Sequence, residues 1–407
     1  MKRYIIMTYD IHPLGGCQNY LSGKCPYLEK RGWEVYVLFT GVKNGKFEFR
    51  NLSAYADGNV PELDFIPAEL TTLHCRNVIE KMMTIVSKPD TSYTESVIES
   101  HYDKMHLWGE LLAERIGAKH MCFNCNEIFR GKDKYFESYL DFYKFKYERK
   151  ELYGIVEQSM FHLFEGYNNV ELNNKKNFNA RTPDAVQDVP CPELDNFPNA
   201  TWNVCYFGRI LKSYVDRILS DVALFAKSYP DKLINFVIIG DEKPKEAQVH
   251  EIFDRMKNVN LILMGNRVPV PRDLVRKMDV IIAGSGCACS VVNEDVPVVV
   301  PDPDACLSNG LMGYENESSI LLDEGRERES FDVTLRRVLV ENVCSKIQRK
   351  YVYNFASSTA HYNEHMEMIA DSVQIKEYYP SEALTKSQIS FVRKMHVYYE
   401  LLRRKLA

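Results

Sequence analysis

The sequence predicts an α/β protein made of two doubly wound domains, each a parallel sheet with helices on both faces. Short runs rich in β-branched and aromatic residues alternate with segments of helical spacing along most of the chain. Parallel strands need crossover connections, and helical crossovers cover both faces of such a sheet. The alternation is interrupted between Glu171 and Asn203, where the sequence is rich in Asn and Pro. A chain of 407 residues with such a break is long enough for two domains.

The N-terminal domain is predicted over residues 1–185. It begins with the strand "RYIIMTYD", a helix in "QNYLSGKCPYLEKRGW" and the strand "EVYVLF". Further strands are predicted at "LDFIPAE", "ESVIESH" and "AKHMCFN", with the helix "YDKMHLWGELLAERIG" between the last two.

The C-terminal domain is predicted over residues 198–371, where the alternation restarts and is most regular. The strands are "NVCYFG", "INFVIIG", "VNLILMG", "DVIIAG" and "PVVVPD". The helices between them are "YVDRILSDVALFAKSYP", "KEAQVHEIFDRMK", "PRDLVRKM" and a short one beginning at "CACSVV". In open α/β sheets ligands bind at the carboxyl ends of the strands, so the function is sought in the loops that follow strands.

Composition and charge exclude several classes of protein. The chain is 45% hydrophobic and 26% charged and has no apolar run long enough to span a membrane. The N-terminal "MKRYIIMTYDIHP" reads as a buried strand rather than a signal peptide, so we expect a cytoplasmic protein. The net charge of −5 argues against a nucleic-acid partner.

The eleven cysteines are predicted to be reduced thiols rather than a disulfide framework. They are odd in number, scattered along the chain and mostly placed in apolar runs. Cys122 and Cys125 form a CxxC and Cys287 and Cys289 a CxC. A structural zinc site usually needs a second close pair or a His pair, so no metal site is predicted.

Two loops of the N-terminal half carry polar and glycine residues after a strand. In "DIHPLGGCQNY", His12 precedes Gly15 and Gly16, which would let backbone amides approach a ligand at a helix N-terminus. The alternative is a Gly-Gly pair that serves only the turn. In "ESHYDKMHLWG", His101 is a candidate catalytic group, against the alternative of a histidine satisfied by its surroundings.

Two further loops follow strands. "CFNCNEIFRGKDKYF" presents Asn126, Glu127 and Arg130. "FGRILKSYVD" presents Arg209 and Lys212, whose planar fork and point charge suit a diphosphate, whereas the alternative is a solvated basic turn. The next strands end in "IIGDE" and "LMGN", each with a glycine that permits a sharp turn.

These motifs, in this order, resemble the GT-B glycosyltransferases and, among them, the retaining family four that builds bacterial capsules, exopolysaccharides and lipid-linked sugars. The resemblance covers most of the chain and is more specific in its C-terminal half. It rests on "GG" at 15–16, "SVIESH" at 96–101, "FGRILK" at 207–212, "FVIIGD" at 236–241, "NVNLILMG" at 258–265 and "DVPVVVPD" at 295–302.

The resemblance implies two Rossmann-like domains facing across a cleft. The C-terminal domain would hold a nucleotide-sugar donor, and the N-terminal domain would face a saccharide or lipid-linked saccharide acceptor. The implied reaction is sugar transfer with retention for surface polysaccharide synthesis, with no metal and no cofactor. A final helix would return to the N-terminal domain, for which "YNEHMEMIADSVQIKEYY" and the basic tail are the candidates, and the returning segment is placed at about 372–407. The resemblance implies nothing about the oligomeric state.

The resemblance also assigns roles to residues. Arg209 and Lys212 would compensate the charge on the leaving diphosphate, with His101 near the transferred sugar. The donor-binding residues would be Gly16, Gly208, Gly240, Asn266, Arg267, Val268, Ser285, Gly286, Cys287, Ser290 and Glu294. The acceptor-binding residues would be His12, Gly15, Asn126, Glu127 and Arg130.

The sequence departs from the family at two acidic positions. Family members usually carry two glutamates seven residues apart before the "PVV" strand. Here Ser290 stands where the second would fall, residues 282–284 offer no acid for the first, and Glu294 lies out of register. These departures keep open a catalytically inactive binding subunit. A third interpretation is a nucleotide-sugar epimerase, which shares the two-domain architecture, but the sparse acidic residues argue against it.

The C-terminal "FVRKMHVYYELLRRKLA" has helical spacing with aromatic and cationic residues. Such a helix could lie on an anionic membrane surface, which would make the protein peripheral at the inner face of the membrane. The alternative is a solvated helix packed along one face against the body of the protein.

Overall fold

The chain folds as two compact units in a computed structural model. The first unit comprises Met1–Ala180 and Ser358–Ala407, and the second comprises Arg181–Ser357. The residues described are 1–12, 15–41, 46–125, 137–155, 157–164, 170–173, 176–180, 185–241, 243–317, 327–354, 357–373, 377–385, 389 and 391–406. The break near residue 180 lies inside the Asn- and Pro-rich stretch.

The first unit is built on a five-stranded parallel sheet with the order β2-β1-β3-β4-β5. Its strands are β1 (Lys2–Thr8), β2 (Trp33–Phe39), β3 (Glu95–His101), β4 (Lys119–Asn124) and β5 (Leu152–Gly154). The helices in this part of the chain are α1 (Gly16–Glu29), α2 (Thr72–Ile85), α3 (Asp103–Ile116), α4 (Leu140–Glu148) and α5 (Glu157–Leu163).

Strand β1, which lies inside the sheet, is apolar on both faces, as a strand covered by helices on each side requires. Ile5 and Met7 are buried in one core cluster, and Tyr4 and Ile6 are buried in another on the opposite face. The predicted strands at the positions of β1, β2, β3 and β4 are confirmed.

The predicted strand "LDFIPAE" is wrong. This stretch contains two short 3-10 helices, Pro61–Asp64 and Pro67–Glu69, joined at Phe65. Both begin with proline, which has no N–H to donate to a sheet and a φ suited to a helical first turn. Leu63 and Phe65 are nevertheless buried in the core, which accounts for the apolar pattern.

The second unit is built on a six-stranded sheet with the order β13-β12-β11-β7-β8-β9, and a small parallel pair joins β6 and β10. The strands are β6 (Val186–Gln187), β7 (Trp202–Phe207), β8 (Ile234–Ile239), β9 (Val259–Gly265), β10 (Val270–Pro271), β11 (Val280–Ala283), β12 (Val298–Asp302) and β13 (Leu307–Leu311). The helices are α6 (Val215–Ser228), α7 (Glu246–Phe253), α8 (Arg272–Arg276), α9 (Ser285–Val291), α10 (Phe331–Leu339) and α11 (Val343–Lys346).

All strands of this larger sheet are parallel except β13, which pairs antiparallel with β12 at the edge. The prediction of two doubly wound α/β domains is therefore confirmed. β13 is an addition that the sequence analysis missed, because "LSNGL" lacks the β-branched residues typical of a strand.

The last segment of the chain belongs to the first unit. It contains α12 (Ser358–Asp371), α13 (Ser381–Thr385) and α14 (Phe391–Leu406). The predicted start of the returning segment, near residue 372, is too late, because α12 already packs in the first unit. Tyr362 and Ile369 are buried there with Tyr20, and the Lys119 ammonium donates to the Ile369 carbonyl oxygen at 2.7 Å.

Each sheet has one point where the strand order reverses, and such switch points open a crevice at the carboxyl ends of the strands. In the first unit the point lies between β1 and β3, and in the second unit it lies between β7 and β11. Three of these loops, after β1, β3 and β7, were singled out from the sequence together with the loop after β4, and the loop after β11 entered only through the roles that the resemblance assigns.

Candidate functional site

The carboxyl ends of β7, β8 and β9 present bare backbone. The Gly208 amide donates to the Ile239 carbonyl oxygen, and the Gly240 amide donates to the Gly265 carbonyl oxygen, both at 3.0 Å. Gly208 and Gly240 have φ values of +155° and +156°, which side-chain-bearing residues rarely adopt. A Cβ on Gly240 would lie 2.1 Å from the Gly208 carbonyl oxygen. The glycines therefore let the strand ends approach one another closely, and no side chain projects from these two positions at this edge of the sheet.

Arg209 and Lys212 lie in the turn after β7. Arg209 is exposed and Lys212 is half-buried, and the Tyr206 hydroxyl donates to the Arg209 carbonyl oxygen at 2.8 Å, which holds the turn in place. Burial raises the pKa of the Cys287 thiol to about 11, while the charges of Lys212 and Arg209 act in the opposite direction. Both cations are therefore close enough to act on the loop that follows β11.

The loop after β11 is short and strained. Ser285, the first residue of α9, has a φ of +55°, a conformation uncommon for residues other than glycine. A Cβ on Gly284 would meet the Tyr214 hydroxyl at 3.1 Å, so the loop runs close to the start of α6. The Ser290 hydroxyl donates to the Gly286 carbonyl oxygen at 2.8 Å. Strain of this kind is often found at binding sites.

Other predicted donor-binding residues of the second unit are held by protein partners. The Glu294 carboxylate is buried and contacts Arg272 at 2.5 Å and Arg276 at 3.2 Å. The Arg267 guanidinium donates to the Met264 carbonyl oxygen at 2.9 Å and pairs with Glu193. Asn266 and Val268 are exposed. A ribose hydroxyl bound by Glu294 would have to share that carboxylate with two arginines.

In the first unit, His101 is the last residue of β3 and not, as expected, part of the following loop. Its side chain is fully buried. Nε2 lies 2.8 Å from Glu99 Oε1, and Nδ1 lies 3.4 Å from Cys17 Sγ. Although burial opposes it, the charge of the Cys17 thiolate and the hydrogen bonds to Cys17 and Glu99 raise the pKa of His101 to about 9. The contacts with Glu99 and Cys17 therefore favour the imidazolium form of the ring.

Glu99 is the acceptor at the centre of this cluster. Its buried carboxylate receives hydrogen bonds from the Tyr4 hydroxyl at 2.5 Å and the Tyr20 hydroxyl at 2.8 Å. The Lys24 ammonium lies 3.8 Å away. Although burial opposes it, the charge of Lys24 and the hydrogen bond from His101 lower the pKa of Glu99 well below its usual range. The carboxylate is therefore charged at neutral pH.

Lys24 and His365 complete the cluster from α1 and α12. The Lys24 ammonium lies 3.1 Å from His365 Nδ1, and both side chains are buried. Burial lowers the pKa of Lys24 to about 8, and burial together with the charge of Lys24 lowers that of His365 well below its usual range. Neutral His365 can thus accept a hydrogen bond from Lys24.

His12, Gly15 and Gly16 lie at the same edge of the sheet, before and at the start of α1. His12 Nδ1 contacts Asp10 Oδ1 at 2.6 Å, and its buried Nε2 has no hydrogen-bond partner among the described residues. Gly16 begins α1, and a Cβ added there would meet nothing within 4 Å. The other predicted acceptor-binding residues, Asn126, Glu127 and Arg130, lie outside the described residues.

A second polar cluster lies on the opposite face of β3. The Ser100 hydroxyl is 2.7 Å from His120 Nε2, and His120 Nδ1 is 2.6 Å from Glu110 Oε2. The Lys146 ammonium bridges Glu110 and Glu151 at 2.8 and 2.7 Å. This order of contacts is that of a Ser–His–acid triad, but all five side chains are buried, so no substrate reaches Ser100. We interpret the cluster as structural.

The structure thus brings some predicted residues together and adds others. Arg209 and Lys212 are placed near Cys287 in the second unit. In the first unit His101 is joined by Glu99 and Cys17, which the sequence analysis did not assign to a site. The signal for Glu99 was present in "SVIESH", where two charged or titratable residues alternate inside an apolar strand and so share one face.

The described residues contain neither a metal-binding cluster nor a membrane-spanning helix. No group of three or more His, Cys, Asp or Glu side chains is arranged to hold a metal ion. Over the same residues, none of the helices combines the length and apolar character needed to cross a bilayer.

Sequence comparison identifies no relatives: no family model matches the chain, and no curated protein does. Solved structures are similar to it over nearly its full length. Anabaena Alr3699/HepE in complex with UDP and glucose is 11% identical, covering 99% of this chain and 100% of that one, with a TM-score of 0.51. A glycosyltransferase from Rickettsia africae ESF-5 is 10% identical, covering 99% of both chains, with a TM-score of 0.54.

OtsA in its apo form gives a further match, 10% identical over 91% of this chain and 96% of that one, with a TM-score of 0.51. At such low identity the similarity establishes the fold. The chain has the GT-B fold, in which two Rossmann-like domains follow one another and the end of the chain returns to the first.

Proposed function

We propose that this protein is a glycosyltransferase that binds a nucleotide-sugar donor at the switch point of its second unit. The observation that carries the proposal is the arrangement between β7 and β11. Two cations, Arg209 and Lys212, lie beside the ends of β7 and β8, and each of these strands is followed directly by a glycine, which has no side chain to cover the main chain. A planar guanidinium and an ammonium beside bare backbone suit the oxygens of a diphosphate.

The fold supports the choice of ligand. Alr3699/HepE, which has this fold, is described in complex with UDP and glucose and with UDP-glucose. In the proposed reaction, Arg209 and Lys212 stabilise the charge that grows on the leaving diphosphate, which is electrostatic stabilisation by groups already in place. We further propose transfer with retention, without a metal, to a saccharide or lipid-linked saccharide acceptor in surface polysaccharide synthesis, as the resemblance of the sequence motifs implies.

The role proposed for His101 takes account of its burial. Both ring nitrogens are engaged, by Glu99 and by Cys17, so the ring has no free nitrogen to offer a sugar. We propose that His101 contributes positive charge to the acceptor-side edge of the first unit. Direct contact with the sugar would require Cys17 to move away from Nδ1. His12, whose Nε2 has no partner in the described part of the chain, is the better candidate for an acceptor hydroxyl.

The test is a binding and transfer assay on the full chain. Binding of UDP, GDP, ADP and their common sugar conjugates is measured by calorimetry. We expect one nucleoside diphosphate to bind, and Arg209→Ala and Lys212→Ala each to weaken it by about 10- to 100-fold, because each removes a charge-assisted hydrogen bond worth about 1.5–3 kcal/mol. Absence of binding to every nucleotide would contradict the proposal.

The matched controls are exposed cations at the opposite edge of the same sheet. Arg255 precedes β9 and Lys232 precedes β8, so Arg255→Ala and Lys232→Ala remove the same charges away from the site. Both should leave the affinity unchanged. With the nucleotide sugar that binds, radiolabel transferred to an acceptor supports the glycosyltransferase. Binding without transfer would identify a binding subunit, and conversion of the free nucleotide sugar to its epimer would identify an epimerase.

We also propose that the first unit contacts an anionic membrane surface through α14. Val397 and Leu401 are buried against the first unit. The opposite side of the helix exposes Val392, Met395, Tyr398, Tyr399 and Leu402, with Val392 76% and Tyr399 66% exposed. These positions are spaced by three and four residues and so form one stripe.

The charge around this stripe favours an anionic partner. Arg393 and Arg403 are exposed and Lys394 is half-buried, and the Arg393 guanidinium also reaches Glu69 at 2.8 Å. An apolar stripe with flanking cations is typical of helices that lie in the interface of a bilayer. A lipid-linked acceptor would be presented at such a surface.

Sedimentation with vesicles tests this contact. We expect the protein to bind vesicles that contain phosphatidylglycerol, and binding to fall by about tenfold or more when Val392, Met395 and Leu402 are changed to serine. The control removes exposed apolar side chains elsewhere, by Leu224→Ser and Val352→Ser. If the α14 variant binds vesicles as well as the wild-type protein does, the membrane contact is refuted. If the wild-type protein forms dimers and the α14 variant does not, the stripe binds a second copy of the chain instead.

A further inference from the structure

Cys17 is in an unusual setting for a free thiol. It is the second residue of α1, a helix of 14 residues with no acidic side chain in its first turn. Its Sγ lies 3.4 Å from His101 Nδ1 and 3.3 Å from the Thr8 hydroxyl. A helix N-terminus, an imidazolium and a hydroxyl all favour the negative form of the sulfur.

A second thiol faces Cys17 from the end of β4. Cys125 directly follows that strand, packs against the same core cluster as Cys17, and lies close enough for the two sulfurs to interact. Both cysteines are half-buried rather than enclosed, whereas Cys122, the other member of the CxxC, is fully buried in the core. The thiols that can react together are thus Cys17 and Cys125, which are 108 positions apart in the sequence (125 − 17).

The two thiols have opposite tendencies to ionise. The hydrogen bond from Cys125 and the charge of His101 hold the pKa of Cys17 well below its usual range, although burial acts against this. The same hydrogen bond and burial hold the pKa of Cys125 well above it. Behind His101, the Glu99 carboxylate at 2.8 Å stabilises the imidazolium that faces Cys17. These surroundings favour the thiolate form at Cys17 and the thiol form at Cys125.

We propose that Cys17 and Cys125 form a peroxide-reactive dithiol, in which Cys17 attacks and Cys125 resolves. This proposal does not depend on the proposed function. An attacking thiol needs a positive partner and some exposure, and a resolving thiol must lie beside it. Cys17 is half-buried with its Sγ 3.4 Å from His101 Nδ1, and the half-buried Cys125 packs on the same core cluster and interacts with it.

The oxidant is a hydroperoxide. The Cys17 thiolate attacks the outer oxygen, the O–O bond breaks, and the departing oxide takes up a proton to leave as water or an alcohol. The Cys125 sulfur then attacks the sulfenic acid, the S–O bond breaks, and a second water leaves as the disulfide forms. Two electrons pass from the two sulfurs to the peroxide. Once the disulfide has formed, Cys17 no longer presents a thiolate to His101 Nδ1.

Peptide mapping tests the proposal directly, on the full chain. Trypsin releases Tyr4–Lys24, whose single cysteine is Cys17, and His120–Arg130, which contains Cys122 and Cys125. After one equivalent of hydrogen peroxide, we expect these two peptides to be joined under non-reducing conditions and separated by dithiothreitol. The link should persist in Cys122→Ala and disappear in Cys125→Ser, where Cys17 instead accumulates as the sulfenic acid. Absence of the link in the wild-type chain would overturn the proposal.

The rate of alkylation separates an activated thiolate from an ordinary thiol. Iodoacetamide should modify Cys17 at a rate that is nearly constant from about pH 6 to about pH 8, because the thiolate is already formed. Cys344 is the matched control: it is half-buried, and burial raises its pKa to about 11. Its rate should rise about tenfold per pH unit.

His101→Gln removes the positive partner and should lower the rate of Cys17 at neutral pH by about tenfold or more. The groups that act on Cys17 are His101 and Cys125, with Thr8 from β1 and Glu99 behind His101. If the His101→Gln variant does not fold, the pH dependence of Cys17 alkylation in the wild-type protein tests the proposal instead. A Cys17 rate that rises with pH as the Cys344 rate does would overturn the proposal.

Discussion

At the scale of single residues, the carboxyl edge of the second sheet depends on the absence of a side chain at one position. Gly240 combines a φ of +156° with a carbonyl oxygen, that of Gly208, 2.1 Å from where a Cβ would lie. Neither the backbone nor this neighbour can accommodate a methyl group without displacing the ends of β7 and β8.

Gly240→Ala should therefore lower the free energy of unfolding of the second unit by about 3 kcal/mol, which combines backbone strain and a main-chain clash. Hydrogen exchange of amides in β7, β8 and β9 measures the effect, with β1 and β3 of the first unit as an internal reference. Gly286→Ala is the control, because a Cβ there meets nothing within 4 Å. If the amides of β7, β8 and β9 exchange at the same rate in both variants, close packing at Gly240 does not limit the stability of the second unit.

The candidate site shows how far residue types can be interpreted from sequence. Arg209 and Lys212 were predicted as a pair because both follow one strand directly, and local sequence decides that. The partnership of Cys17 with His101 was not predicted, because it joins residues from α1 and β3 whose approach depends on the sheet order. Likewise, sequence alone could not show that Glu294 is held by Arg272 and Arg276.

At the scale of elements, β3 separates two buried polar clusters because its side chains alternate between faces. Glu99 and His101 belong to the cluster with α1 and α12, and Ser100 belongs to the cluster with α3 and α4. In the second cluster, burial opposes the charge of Glu110, but Lys146 and the hydrogen bond from His120 lower the pKa of Glu110 well below its usual range.

This lowered pKa makes the first unit acid-sensitive. In the unfolded chain Glu110 takes up a proton near pH 4.3, and in the folded chain only at lower pH, so its contribution to stability is full above about pH 4.3 and declines as the pH falls below it. We expect Glu110→Gln to cost about 3 kcal/mol at neutral pH, since Lys146 loses a partner. Denaturant unfolding should show this cost shrinking toward about pH 3.

Glu114→Gln is the matched control for that experiment, because Glu114 is an exposed carboxylate on the same helix. It should change the free energy of unfolding little at either pH. If Glu110→Gln lowers the free energy of unfolding equally at about pH 3 and at neutral pH, ionisation of Glu110 does not cause the acid sensitivity of the first unit.

Elements were predictable where the pattern is local and regular. The alternating strands and helices from β7 to β12 agree with the sequence within a few residues. The failures have physical causes. Pro61 and Pro67 turn an apolar run into 3-10 helices. The boundary predicted at residue 371 falls at the end of α12 rather than at its start, because the apolar spacing of a helix does not reveal which core it enters.

At the scale of the whole molecule, the fold was predictable because two independent patterns agreed. The strand and helix alternation indicated two doubly wound units, and the order of loop motifs resembled one architecture. The comparisons with solved structures support this fold, although sequence identity is only 10–11%. The backbone architecture is therefore similar at an identity where most individual side chains differ.

The passage of the chain from the first unit to the second and back has a consequence for biosynthesis. The second unit is one continuous stretch, so it can fold as soon as it has left the ribosome, in keeping with the tendency of domains to fold as units during synthesis. The first unit cannot, because α12, which supplies the His365 that faces Lys24 at 3.1 Å, emerges only after the whole of the second unit. Until then the acid and the amine beneath the N-terminal helix remain open to water. The nascent protein is thus completed from its middle outward, and a ribosome that stops near residue 357 releases a finished second unit attached to an unfinished first one.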